Sequence, residues 1–301
     1  MKMINGKTRI IGLLGDPVSH SLSPVMQNAA IKEMNLNFCY LAFPCKNEEL
    51  SIVLDSMRVI ECQGLNITIP HKNSVAKLCD ELTPLAKSVG AVNTLLPREE
   101  GGWYGTNTDV EGFISPLINK KDLKKDQAII IGSGGSARAV LAGLRILNYK
   151  KIIIITRNKD SLNKFLGDAK NENKMKSAEI EIKGTLESDT NIKNYIKEAN
   201  LIINTTPIGL QKLSHEENQT KKMPLSENIW SHLEQKTTLY DLIYIPRPTE
   251  WLKFGEKIGC QTIDGLEMLI HQGAASLRLW TQTDKIPIES MRKAAENQLN
   301  I

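Results

Sequence analysis

One stretch constrains the fold of this chain more than any other. Gly132-Ser133-Gly134-Gly135-Ser136-Ala137-Arg138-Ala139 lies between an aliphatic run, Ala128–Ile131, and a helix-like stretch that continues to Leu147. A short all-aliphatic run closed by glycine reads as a buried strand, and the apolar spacing after the turn reads as a helix. A second run, Lys151–Thr156, follows. The order strand, glycine turn, helix, strand predicts a parallel pair joined by a crossover helix. Glycines let the backbone bend sharply and approach an anion with no Cβ in the way, and the helix start adds free amides and the positive end of its dipole. A dinucleotide site is therefore expected on Gly132, Ser133, Gly134, Gly135, Ser136 and Ala137. The spacing, G-x-G-G-x-x-x-A, is a variant of the usual fingerprint, and a tight turn without a ligand is the alternative.

The next strand carries the cofactor preference. An acid about 20 residues beyond the turn would hold the ribose 2′-hydroxyl of NAD. This strand ends instead in Thr156-Arg157-Asn158, without an acid at the tip. Arg157 would attract a 2′-phosphate and stack on adenine. Lys159 adds positive charge, partly offset by Asp160. NADP is expected over NAD.

The rest of the chain follows the same alternation. Strands are expected near Arg9–Leu14, Phe38–Phe43, Gly64–Ile69, Ala91–Leu96, Leu201–Thr205 and Thr238–Ile243. Ser23-Pro24 reads as an N-cap with proline in the first turn, ahead of a face built from Val25, Met26, Ala29, Ala30 and Met34. The fold class is α/β with mostly parallel sheets, in two domains. The polar stretch 119–127 separates them, and 110–264 is expected to be the nucleotide-binding domain. A net charge of +4 from 38 basic and 34 acidic residues is too weak and scattered for a nucleic-acid surface. No apolar run is long enough to cross a bilayer and no signal peptide is evident. The five cysteines are odd in number without C-x-x-C spacing, which fits reduced thiols in the cytoplasm. His20, His71, His215, His232 and His271 lack metal-ligand spacing and are expected in loops or at the surface. No metal is expected.

Several polar clusters resist explanation as packing: Ser19-His-Ser21-Leu-Ser23-Pro24, Asn66-Ile-Thr68-Ile-Pro70-His-Lys72, Gly90-Ala-Val-Asn93-Thr94 and Gly105-Thr-Asn107-Thr108-Asp109. With Gly132–Ala139, Asn204-Thr-Thr-Pro-Ile-Gly209, Asp241-Leu-Ile-Tyr244 and Gly265-Leu-Glu-Met268-Leu-Ile-His-Gln272, they resemble the shikimate dehydrogenase family in order and spacing across nearly the whole chain. The resemblance implies reversible, NADPH-dependent reduction of 3-dehydroshikimate to shikimate. It implies an N-terminal α/β substrate domain, a Rossmann-type domain, and C-terminal helices that return to the former. The expected boundaries are 1–109 with 265–301, and 110–264. Ser21 and Ser23 would bind the substrate carboxylate. Thr68, Asn93, Asp109 and Gln272 would hold the ring hydroxyls, and Tyr244 would approach from the cofactor domain. Lys72 and Asp109 would form the catalytic pair. Gly265 and Met268 would line the nicotinamide pocket, with Thr205 and Leu242 also at the cofactor. The expected assembly is a monomer or homodimer acting on a small molecule.

The chemistry is consistent with that pair. Adding hydride to a ketone leaves an alkoxide, which a positioned ammonium stabilises and protonates, and a carboxylate orients the lysine. Asp109 also reads as a helix N-cap ahead of Val110–Ile118. Two features depart from the family pattern. The strand end is T-R-N where N-R-T is usual, and Ser161 stands where a second basic residue often follows. The alternatives are a quinate/shikimate dehydrogenase using NAD and a non-catalytic nucleotide sensor. The polar segment 211–236 is expected to be a flexible loop or an edge cover.

Overall fold

The structure, a computed structural model, describes residues 4–118, 120, 122–173, 180–210 and 222–300. They form two compact units, one of residues 1–112 with 269–301, the other of 113–268.

The first unit is built on β1 (Arg9–Gly15), α1 (Ser23–Glu33), β2 (Phe38–Pro44), α2 (Leu50–Val59), β3 (Leu65–Ile67), α3 (Lys72–Leu78), β4 (Glu81–Leu82), α4 (Pro84–Val89), β5 (Thr94–Pro97) and β6 (Trp103–Thr106). The sheet order is β2-β1-β3-β5-β6-β4. β1 pairs parallel with β2 and β3, whereas β5 runs antiparallel to both neighbours. The strand β6 was not anticipated: its short Trp-Tyr-Gly-Thr run is recognisable only as the return limb of a hairpin through Gly101 and Gly102, both at positive φ. α1 buries Ser23, Met26, Gln27, Ala30 and Ile31; Met26 and Ala30 belong to the face read from the sequence, whereas Val25, Ala29 and Met34 are only partly buried. Gln27 is tolerated there because its Nε2 donates to the Gly273 carbonyl at 2.9 Å.

The second unit begins within α5 (Asp109–Ile118) and contains β7 (Gln127–Ile131), α6 (Gly135–Ile146), β8 (Lys151–Thr156), α7 (Lys159–Asn173), β9 (Glu181–Leu186), α8 (Ile192–Glu198), β10 (Leu201–Asn204), α9 (Glu227–Trp230), β11 (Thr238–Asp241), α10 (Glu250–Ile258) and β12 (Gln261–Ile263). Every pairing is parallel, in the order β12-β11-β10-β7-β8-β9. This is the doubly wound arrangement, and its order reverses between β7 and β10. The central strands β7, β8 and β10 are mostly aliphatic because helices cover both faces of a parallel sheet. The edge strands β9 and β12 escaped the sequence reading because one carries Glu181 and Lys183 among its apolar residues and the other has only three residues.

Residues 211–221 of the segment expected to be a loop lie outside the described residues. The remainder is packed: Leu225, Ile229, Trp230 and Leu233 join the core beneath the sheet, with Trp230 against Trp251 at 5.3 Å. The chain ends in α11 (Gly265–Thr281) and α12 (Ile288–Leu299). From Leu269 onward these helices belong to the first unit, where α12 packs along α1 and Trp280 Nε1 donates to the Leu95 carbonyl at 2.9 Å.

Candidate active site

In the first unit, Lys72 is the first residue of α3 and Asp109 the first of α5. The Lys72 ammonium donates to Asp109 Oδ2 at 2.6 Å, with the two side chains only 17% and 7% exposed. Ion pairs at the open surface contribute little, but a pair this enclosed is held in one geometry by its surroundings. The other carboxylate oxygen, Oδ1, accepts from Asn93 Nδ2 at 2.8 Å. The Asp109 amide donates to Asn107 Oδ1 at 3.1 Å, so Asp109 is the first helical residue rather than the N-cap, and its carboxylate is left to its side-chain partners.

Asn93 is itself fixed. Its Oδ1 accepts from the Thr108 amide at 2.7 Å and from the Thr94 hydroxyl at 3.0 Å. Its Nδ2 also reaches Gln272 Oε1 at 3.5 Å, bringing α11 to the same place. Lys72, Asn93, Asp109 and Gln272 are therefore gathered in one polar cluster. Asn66 and Ser276, which the sequence reading did not assign as site residues, sit directly behind it, both buried.

Ser21 and Ser23 occupy the turn between β1 and α1. Ser21 Oγ accepts from the Ser23 amide at 3.1 Å; the N-cap position is Leu22, without a side-chain cap, and Ser23, read from the sequence as the cap, is the buried first helical residue. Accepting through its oxygen leaves the Ser21 hydroxyl free to donate. Thr68 lies against the end of β1: a Cβ on Gly15 would fall 2.2 Å from its methyl group. Its hydroxyl has no hydrogen-bond partner among the described residues. His71, expected in a loop or at the surface, is completely buried. Its Nε2 donates to the Cys45 carbonyl at 2.6 Å, while its Nδ1 is buried without a hydrogen-bond partner among the described residues. His215 lies outside the described residues.

In the second unit, the turn after β7 opens onto a cavity of about 310 Å³ at the carboxyl ends of β7, β8 and β10. This is the switch point where doubly wound sheets bind ligands. Gly132 has φ +116°, and a Cβ there would stand 2.5 Å from Thr205 Oγ1. Gly134, the N-cap of α6, has open space where its Cβ would project. A backbone bared at a helix start in this way suits a pyrophosphate, so these residues fit a dinucleotide. Gly132, Ser133 and Gly134 line the cavity with Thr156, Arg157, Asn158 and Thr205. Gly135, Ser136 and Ala137 form the first turn of α6, with Ala137 fully buried. Arg157 is exposed and has no ion pair among the described residues. Arg138 is committed to structure, pairing with Asp168 at 2.7 Å over the Phe165 ring.

The cavity wall also contains Ser161 and Glu187. Glu187 follows the unanticipated strand β9, so no sequence signal could place it on the cavity wall. Leu242, Tyr244, Gly265 and Met268 do not line this cavity. Leu242 and Tyr244 directly follow β11, Gly265 and Met268 lie in the first turn of α11, and a Cβ on Gly265 would fall 2.1 Å from the Leu242 carbonyl oxygen. Burial pushes the Tyr244 phenol above its ordinary range. Asp241, fully buried, accepts from Asn204 Nδ2, the Ile243 amide and Thr249 Oγ1 at 3.0, 3.1 and 2.8 Å. Burial raises its carboxyl to about 6 despite those donors.

Residues 13–95 match the family described as the shikimate dehydrogenase substrate binding domain, and residues 265–296 match the shikimate 5′-dehydrogenase C-terminal domain. A shikimate dehydrogenase (NADP+) of Prochlorococcus marinus strain MIT 9215 is 48% identical over 297 residues, covering 99% of this chain and 100% of that protein. Among solved structures, a shikimate dehydrogenase in complex with NADP+ is 35% identical, with a TM-score of 0.84 over 98% of this chain and 97% of its own. A quinate dehydrogenase from Corynebacterium glutamicum in complex with NAD is 26% identical, with a TM-score of 0.84 over 98% and 99%. No described helix is long and apolar enough to cross a membrane.

Proposed function

The chain belongs to the shikimate dehydrogenase family, and on that footing we propose that it catalyses the reversible, NADP-dependent interconversion of 3-dehydroshikimate and shikimate. The observation that carries this reading is the enclosed Lys72–Asp109 pair, tied through Asn93 into the buried cluster that also holds Gln272. The first unit is the substrate-binding catalytic domain and the second the NADP-binding domain. A cytoplasmic setting accords with five cysteines that are all free thiols.

NADPH, when bound, supplies the hydride. The chain's own residues manage charge and proton. The Ser21 and Ser23 hydroxyls donate to the substrate carboxylate, with α1 starting behind them. Thr68, Asn93, Asp109 and Gln272 hold the ring hydroxyls, and Tyr244 is assigned to substrate binding. The Lys72 ammonium faces the carbonyl oxygen, stabilises the developing alkoxide and gives it the Nζ proton. In the reverse direction Nζ accepts that proton. Asp109 keeps Nζ aimed, and Asn93 keeps Asp109 aimed. In the second unit, Gly132, Gly134 and the first amides of α6 hold the pyrophosphate. Thr156, Arg157 and Asn158 meet the adenosine end, and Arg157 pairs with the 2′-phosphate. Thr205, Leu242, Gly265 and Met268 support the cofactor.

The test is a spectrophotometric assay of purified protein with shikimate and quinate, each offered NADP and NAD. Shikimate with NADP is expected to give the highest kcat/KM. Preference for quinate with NAD would replace this reading with the quinate one. No turnover with any combination would leave a nucleotide-binding protein without this activity.

A further inference from the structure

Behind the Lys72–Asp109 pair lies a set of buried polar side chains drawn from distant parts of the chain. Asn66 Nδ2 donates to Ser276 Oγ at 2.8 Å and lies 3.1 Å from Thr94 Oγ1, while its Oδ1 accepts from the Tyr40 hydroxyl at 2.8 Å. Ser276 Oγ is 2.9 Å from Thr94 Oγ1 and 3.1 Å from Thr108 Oγ1. It is also 3.1 Å from the Gln272 carbonyl, one turn earlier on α11. Ser276 and Thr94 have no solvent exposure at all.

The donors and acceptors in this set impose a direction. A carbonyl only accepts, so the Ser276 proton goes to Gln272, and Ser276 Oγ is left to accept from donors around it. Asn66 is one such donor. Thr108 is another: its hydroxyl accepts from Asn93 Nδ2 at 3.0 Å and turns its own proton to Ser276, while Thr94, which accepts from Asn66, keeps its proton for Asn93 Oδ1 at 3.0 Å, where the Thr108 amide also donates at 2.7 Å. Every group around Asn93 Oδ1 is thus a donor, which fixes which end of the amide is oxygen. The NH₂ end then points to Asp109 Oδ1, leaving Oδ2 for Lys72. Were the amide reversed, its oxygen would face a carboxylate and its NH₂ would face a backbone amide.

We infer that Ser276 and Thr94 are positioning residues for the reaction: with Asn66 they hold the Asn93 amide in the one orientation that keeps Asp109 aimed at Lys72. This rests on the assignment of Lys72 and Asp109 as the catalytic pair. None of the three touches the ammonium, so each acts through Asn93. Tyr40 closes the far end of the set. Burial raises its phenol above its ordinary range.

The experiment compares Ser276→Ala, Thr94→Val, Thr94→Ser and Lys72→Ala in steady-state kinetics on the full chain, with thermal unfolding of each. Losing one buried hydrogen bond of this kind corresponds to a fall in kcat of about three- to tenfold for Ser276→Ala and Thr94→Val. The KM for NADP is expected to stay unchanged. Thr94→Ser, which keeps the hydroxyl and drops only the methyl, is expected to recover most of the kcat. A general loss of packing would instead lower Tm in Thr94→Ser as well and would not separate kcat from the NADP KM. Unchanged kcat in Ser276→Ala and Thr94→Val beside a crippled Lys72→Ala would overturn the positioning role alone. Full turnover in Lys72→Ala would overturn the catalytic assignment beneath it. If Ser276→Ala fails to fold, the Thr94 pair decides the matter by the same comparison.

Discussion

At the scale of single residues, the site divides into groups that meet the substrate and groups that choose the cofactor. Lys72→Ala removes the only ammonium in the Asp109 pair. General acid assistance of this type is worth roughly 10²–10⁴-fold, so kcat is expected to drop by that order while the KM for shikimate changes little. Steady-state kinetics with shikimate and NADP checks this, and near-normal turnover would remove Lys72 from the mechanism. Arg157 governs the other choice. It lines the cavity, is exposed, and shares the wall with Ser161 and Glu187. An exposed Arg–phosphate contact is screened, which places the expected rise in the NADP KM of Arg157→Asp at about tenfold. The KM for NAD should be unaffected or lower, and added salt should weaken NADP more than NAD. Equal shifts for both cofactors would mean that Arg157 does not meet the 2′-phosphate. Glu187 stands on the same wall, a further reason to expect moderate rather than absolute discrimination.

At the scale of elements, what could be read from the sequence was what rests on local pattern. The aliphatic runs of β7 and β8 and the glycine turn between them announce themselves, because a buried parallel strand is apolar on both faces. The turn holding Ser21 and Ser23 is equally visible from Ser-Leu-Ser-Pro. The edge strand β9 is not, since Glu181 and Lys183 are compatible with a strand only when one face is wet. His71 is likewise opaque: only the approach of the Cys45 carbonyl from another segment makes its burial tolerable. The clustering of Asn66, Thr94 and Ser276 depends on sheet register and on a helix from the far end of the chain, which no local window contains. Asp241 joins elements in a measurable way. It ties the end of β10, through Asn204, to the start of α10, through Thr249. Its carboxyl lies at about 6 in the folded chain against 3.8 unperturbed, with Asp264 adding to the effect of burial. The folded state therefore binds this proton more tightly, and the group's contribution to stability is complete below about pH 4 and lost as pH rises through 6. The shift corresponds to a cost on the order of 3 kcal/mol at neutral pH. Asp241→Asn abolishes that dependence, so urea unfolding at pH 4.5 and pH 7 should show the variant gaining on the wild type at the higher pH. A constant difference between the two would assign the proton elsewhere.

At the scale of the whole molecule, one compact unit is continuous in sequence and the other is assembled from two separated stretches. The seam within the discontinuous unit is tight. A Cβ on Gly64 would fall 2.0 Å from the Trp280 indole nitrogen, which is bonded to the Leu95 carbonyl. Gly64→Ala is therefore expected to destabilise this unit by about 1–3 kcal/mol, the usual range for overpacking, and to lower shikimate turnover. Nucleotide binding, measured by fluorescence titration, should be spared, because every residue lining the cavity lies in the other unit. Equal loss of both would show that the units do not unfold independently. The same discontinuity sets an order of events during synthesis. Chains emerge from the ribosome from the N-terminus and their domains generally fold as units. Residues 113–268 contain everything their own sheet needs and can close while translation continues. Residues 1–112, made first, must wait for α11 and α12 to supply Gln272, Ser276 and Trp280. Until then the nascent chain displays a partly clothed sheet and an unfinished catalytic pocket, so the earliest segment of the protein to be made is among the last to reach its native form.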